Sequence, residues 1–196
     1  MQRLIMMTLP ALALAACDTA RAPAPDDAML GNDVVGTMDT NMMGNVMAVP
    51  AMDTPTDAPS YLARAGASDL FEIESSRAVL AKAQDADIRK FVQQMIDQHT
   101  ASTDKIKAAA QEAGMTVPPP TLTPDQQKML DEIEAASAEN VAAVYLADQR
   151  AAHDAALALH RTYAERGDAP ALKKAASEVA SVVAEHIEML ENMPQM

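Results

Sequence analysis

Residues 85–114 read DADIRKFVQQMIDQHTASTDKIKAAAQEAG. Ile88, Val92, Met95, His99, Ser102, Ile106 and Ala109 recur at spacings of three and four, which lays them along one face of an α-helix. Asp85 stands where an N-cap belongs, and Gly114 with Pro118, Pro119 and Pro120 stops the helix near Ala113. The chain on either side repeats the pattern. A first helix is expected from Ser60 to Ala83, with Leu62, Ala65, Asp69, Glu72, Ser76 and Val79 as its seam. Thr123-Pro124 opens a short helix ending near Ala136, a cap followed by an N1 proline. A third long helix runs to about Arg166, where Gly167-Asp168 turns the chain. A fourth spans about Pro170 to Asn192 and carries Leu172, Ala175, Val179, Val182, His186 and Leu190. Three connections are short or turn-like, so neighbouring helices should pack antiparallel. Alanine is abundant, glycine is scarce, and β-branched runs are nearly missing from the second half. The expectation is an all-α protein: an antiparallel up-down four-helix bundle over residues 60–196 with one short extra helix, preceded by a disordered tether.

The N-terminal end has a different character. Met1-Gln2-Arg3 is followed by an apolar stretch from Leu4 to Leu14 and then by Ala15-Ala16-Cys17. A basic start, a short apolar run and a small-residue cleavage site make residues 1–16 a secretory signal. The run is too short to span a bilayer, which takes about twenty helical residues. Leu14-Ala15-Ala16-Cys17 resembles the bacterial lipobox, whose cysteine receives diacylglycerol. Cys17 is the only cysteine in the chain, so a disulfide partner is lacking and acylation is the better reading. Two or more acyl chains hold a protein stably on a membrane. The mature chain is therefore expected at a bacterial envelope membrane, facing the periplasm, with Asp18 favouring the inner membrane. Residues 17–59 carry prolines at 23, 25, 50, 55 and 59 and no apolar period, so they read as a disordered linker. As a flexible coil it would reach on the order of 35 Å. Met38, Met42, Met43, Met47 and Met52 make it methionine-rich, and thioethers are soft ligands for Cu(I), although drift in tether composition produces the same pattern.

Composition excludes several classes. A net charge of −13 and a pI near 4.5 argue against nucleic acid and anionic lipid, both polyanions. Aromatics are 3% of the chain and tryptophan is absent, which disfavours surfaces that stack sugars or bases. There is no Gly-rich phosphate loop, no His-Glu-x-x-His, and no nucleophile paired with a base in the mature domain.

Polar residues interrupt the apolar seams in one place. Glu72 falls in the first seam, His99 in the second and His186 in the fourth, while His153 lies at the edge of the third helix's apolar arc. Heights can be counted from the end shared by the first two helices and from the end shared by the last two. On that count the four lie within about two helical turns of one another. One carboxylate and three imidazoles suit iron, zinc or copper, and bundle cores are where such sites are built. The competing reading has these histidines hydrogen-bonded to Glu72, Tyr145 or a backbone carbonyl, fixing helix register without a metal. A carboxylate-bridged di-iron centre requires Glu-x-x-His, yet Ile96 and Val183 occupy the glutamate positions before His99 and His186. Asp97 and Glu185 point elsewhere around their helices. His160, seven residues after His153, reads as a partly exposed helix residue.

Phe71-Glu72-Ile73-Glu74, the run from Val92 to Thr100, Tyr145, Ala152-His153 and His186 together resemble the bacterial family called domain of unknown function 4142. The similarity covers about residues 60 to 192. It implies a ferritin-like four-helix bundle exported to the envelope, in a family labelled as outer-membrane proteins and without an established reaction. This chain has Asp97-Gln98-His99 where the family more often has Asp-His adjacent. The reading that follows is a non-catalytic, membrane-tethered helical domain that binds metal or an envelope protein partner. Its rivals are a structural interaction module without metal and a ferritin-like oxidoreductase, the latter weakened by the missing glutamates.

Overall fold

A computed structural model describes residues 54–193. The signal segment, Cys17 and nearly all of the linker lie outside the described residues. Five helices are present among them, with no strand: α1 (Ala58–Lys82), α2 (Ala86–Glu112), α3 (Pro124–Ala135), α4 (Val141–Arg166) and α5 (Pro170–Glu191).

Each boundary has a local cause. α1 opens at Ala58, two residues before the expected Ser60, because Asp57 caps it by accepting from the Ser60 amide at 2.9 Å and Pro59 fits the first turn. The folded part therefore takes in Asp57, Ala58 and Pro59, which the sequence reading placed in the linker. Asp85 caps α2 by accepting from the amides of Asp87 and Ile88 at 2.9 Å. Gly114, at φ 71°, ends that helix in the left-handed region that glycine occupies without strain. Thr123 and Gln126 form a capping box at the head of α3. At Gly167 a Cβ would lie 2.6 Å from the Tyr163 carbonyl, so only glycine lets the chain turn there.

The long helices form a square in which α1 packs on α2 and α4, and α5 packs on α4 and α2. Tyr61 meets His160 and Ser76 meets Tyr145, so α1 and α4 are antiparallel. Gln98 meets His186 and Lys105 meets Glu178, so α2 and α5 are antiparallel too. α3 packs on α1 and α4 and returns the chain to the end of the bundle where α1 finished, and Lys82 marks that end by donating to the carbonyls of Glu134 and Ala136. The opposite end is closed by the Asp168 amide donating to the Thr56 carbonyl at 3.2 Å.

The core falls into two apolar clusters. One, near the Thr56 end, contains Leu62, Ile106, Leu159, Leu172 and Val179; the other contains Val79, Phe91, Val92, Ile133 and Val141. Burial of these side chains supplies the main driving force, about 1.5–3 kcal/mol for each large one. Between the two clusters the core is polar. Asp69, Glu72, His99, Gln149, His153 and His186 are all buried there.

Candidate metal centre

One ring nitrogen from each of His99, His153 and His186 lies within 4.8 Å of the other two, and the three residues are 3%, 1% and 1% exposed. Hydrogen bonds decide which nitrogens face inward. His99 Nδ1–H donates to Asp69 Oδ1 at 2.9 Å, and Thr103 Oγ1 donates to Asp69 Oδ2 at 3.0 Å. That leaves His99 Nε2 buried and without a hydrogen-bond partner. His153 Nδ1–H donates to the Gln149 carbonyl at 2.9 Å, leaving its Nε2 bare. His186 Nε2–H donates to Gln98 Oε1 at 2.5 Å, leaving its Nδ1 bare. The bare nitrogens of His153 and His186 stand 3.3 Å apart. With these tautomers, a proton or a cation between the two nitrogens would be shared by both lone pairs. Two imidazoles on one tetrahedral ion, with bonds of about 2.0–2.1 Å, hold their nitrogens about 3.3 Å apart.

The outer partners complete the logic. A ligand histidine normally gives its other N–H to a carboxylate, carbonyl or amide, which fixes its tautomer and orientation. Asp69, the Gln149 carbonyl and Gln98 fill those roles for the three rings. Glu72 Oε1 lies 3.8 Å from His153 Nδ1, and its Oε2 has no hydrogen-bond partner. Among the described residues the ion-pair partners of Asp69 and Glu72 are histidines. Two acidic side chains and three imidazoles thus share one buried layer of the core. Burial lowers the basicity of His99, but the Asp69 hydrogen bond and the charges of Glu72 and Asp69 outweigh it and raise its pKa. Burial lowers His153, and burial with the neighbouring His99 and His153 takes His186 down to about 3. Two of the three rings are therefore neutral at pH 7 with lone pairs ready.

A family model described as Domain of unknown function (DUF4142) matches residues 44–193. The chain belongs to this family. No curated protein and no solved structure matches it. As a DUF4142 domain, it carries a buried histidine cluster at the centre of its helical bundle.

Of the residues singled out in the sequence, the structure brings His99, His153 and His186 together and places Glu72 beside His153, outside that group. Tyr145 does not serve a histidine: its hydroxyl pairs with Ser76 Oγ at 2.9 Å. Asp97 and Glu185 are exposed, as their positions around the helices require. His160 is not partly exposed. It is 2% exposed, and its Nδ1 is hydrogen-bonded to the Tyr61 hydroxyl at 3.0 Å while the Tyr61 ring stacks on Tyr163. Sequence reasoning missed Asp69 and Gln98 as partners of the histidines. Asp69 was legible as a carboxylate within a seam, whereas Gln98 carries no signal of its own.

His160 makes acid stability testable. Burial depresses its pKa from 6.5 to about 4. The unfolded chain protonates this histidine near 6.5 and the folded chain only near 4, so its contribution is complete above 6.5 and lost as pH falls toward 4. Between about pH 7.5 and pH 5 this group alone should remove about 2 kcal/mol of stability. Denaturant unfolding should show that loss, and His160→Gln should flatten the slope by about the same amount. An unchanged slope would show that another group governs acid unfolding.

Proposed function

We propose that this DUF4142 protein is a membrane-tethered envelope lipoprotein whose bundle binds one divalent transition-metal ion through His99 Nε2, His153 Nε2 and His186 Nδ1. The convergence of one buried ring nitrogen from each of three imidazoles carries the reading. Imidazole suits zinc, copper and iron alike, and three nitrogen ligands leave a further coordination position for an exogenous group. Asp69 and Glu72 compensate the charge, while Gln149 and Gln98 hold two of the rings in the tautomers that point inward. The protein's own contribution is to bind and orient the ion and to shield it from water. Elemental analysis of the full chain, purified without chelator or affinity tag, should find about one zinc, copper or iron per chain. Metal far below stoichiometry, both as purified and after loading with each ion, would overturn the reading.

The tether belongs to the same proposal. It is supported by the signal-like residues 1–16 and the lipobox-like position of Cys17. No helix among the described residues is long and apolar enough to cross a membrane. Cys17→Ser should therefore shift the protein from the membrane fraction to the soluble envelope fraction. Unchanged sedimentation with membranes would remove lipidation as the anchor.

A further inference from the structure

The three histidines are almost completely buried, so an ion needs a route to them. Among the described residues, two places come close. The first is a groove of about 110 Å³ between α1, α2 and the segment after α2, lined by Leu62, Leu70, Ile73, Ile106 and Pro120 and reaching Asp69. It suits an ion poorly. Its walls are apolar, and both oxygens of Asp69 are engaged, one by His99 Nδ1–H and one by Thr103. It therefore arrives at the wrong nitrogen of His99.

The second is the seam between α2 and α5. His186 Nε2–H is held by Gln98, and Gln98 is only half-buried, so the buried ring is bonded directly to a side chain that reaches the surface. Gln94, also half-buried, donates to Gln98 Oε1 at 3.3 Å and to the Sδ of half-buried Met189 at 3.5 Å. A row of neutral donors and acceptors thus runs from the surface to the ring: the Met189 thioether, two carboxamides, then imidazole. Such groups can replace an ion's water one at a time without trapping it. Gln98 bonds the outer nitrogen of His186 while the inner one faces the centre, so the ring stands across the passage and Gln98 pins it there.

We propose that the Gln94–Gln98–Met189 seam is the access route for the metal ion, with Gln98 the gating and positioning residue whose release of His186 admits or frees the ion. This rests on the reading of the histidine cluster as a metal centre. Opening the route then limits the rate of exchange, as loop and lid motions do at other closed sites.

The test follows zinc uptake by the full chain in stopped flow with a chromophoric indicator, and zinc release into excess chelator. Gln98→Ala should accelerate both uptake and release by about tenfold or more. Release should gain more than uptake, because losing the partner of His186 also weakens binding by about 10–100-fold. Gln98→Asn, which keeps an amide too short to reach His186, should behave in the same way if the alanine variant folds poorly. Leu70→Trp, filling the α1–α2 groove, should change neither rate. Uptake no faster in either Gln98 variant, with only release accelerated, would reduce Gln98 to a positioning residue and overturn the gate. Uptake slowed by Leu70→Trp would assign the route to the groove instead. A wild type that takes up no zinc, copper or iron would overturn the metal centre itself, which is a separate outcome from unaltered kinetics in a protein that binds.

Discussion

Asp69→Ala should destabilise the bundle by about 3–5 kcal/mol, the usual cost of removing one member of a buried ion pair. Asp69 is 3% exposed and holds two residues of α2 at once, accepting from His99 Nδ1 and from Thr103 Oγ1. Its loss strands the buried His99 donor and frees that of half-buried Thr103, and it removes the carboxylate that helps raise the His99 pKa. Asp69→Asn keeps an acceptor of the same shape and should cost about 1–2 kcal/mol, since the charge assistance goes but a hydrogen bond stays. Chemical denaturation of the two variants beside the wild type measures both values. An alanine variant within about 1 kcal/mol of wild type would mean that Asp69 does not organise the α1–α2 seam.

The ranking of these effects reflects how the core is divided. Apolar clusters at the two ends hold the helices together, and any one of their members can be trimmed at a cost typical of a core side chain. The layer between them contains groups that water would otherwise solvate, so its stability rests on every partner being present. Glu72 Oε2, His99 Nε2 and both carboxamide atoms of Gln149 have no hydrogen bond there. A protein that selected only for stability would fill such a layer with aliphatic side chains. Buried polar atoms usually have a partner, and these have none among the described residues.

Much of this was legible in the sequence because helical period exposes a face directly. The seam from Ile88 to Ala109 is buried as a continuous stripe. In α5 the stripe is turned by one residue: Val183 is buried and Val182 only half-buried. Two adjacent valines in an alanine-rich helix leave that choice open, and packing against α2 and α4 decides it. The start of α1 was missed because Pro59 counted as a linker proline, although Asp57 two residues before it makes the same cap that was recognised at Thr123-Pro124.

The convergence of the candidate site was readable for a reason other than the one used to read it. Heights were counted as though the α1–α2 and α4–α5 turns shared an end of the bundle. They lie at opposite ends, because α3 carries the chain back alongside α1 before α4 begins. The error does little harm, since Glu72, His99 and His153 sit near the midpoints of their helices, where counting from either end gives a similar height. What stayed hidden depended on contacts between helices. Neither the pairing of His160 with Tyr61 nor that of His186 with Gln98 leaves a trace in the period of one helix. Which nitrogen of each ring faces inward is likewise set by neighbours that only the folded chain supplies.

The measurement that bears most directly on the central claim is the thermal unfolding of the full chain with and without added zinc, copper or iron, in wild type, His99→Ala and His186→Ala. An ion that binds the folded state at a hundredfold above its dissociation constant adds about 2.7 kcal/mol of stability. For a domain of this size that raises the melting temperature by about 5–10 °C. Each variant starts from its own lower baseline, because His99→Ala leaves Asp69 without its nitrogen partner, so the shift on adding metal is the quantity compared. The account predicts a rise of that size in the wild type with at least one of the three ions and none in either variant. A wild type whose melting temperature moves with none of them, or variants that shift as far as the wild type, would contradict a metal centre at His99, His153 and His186.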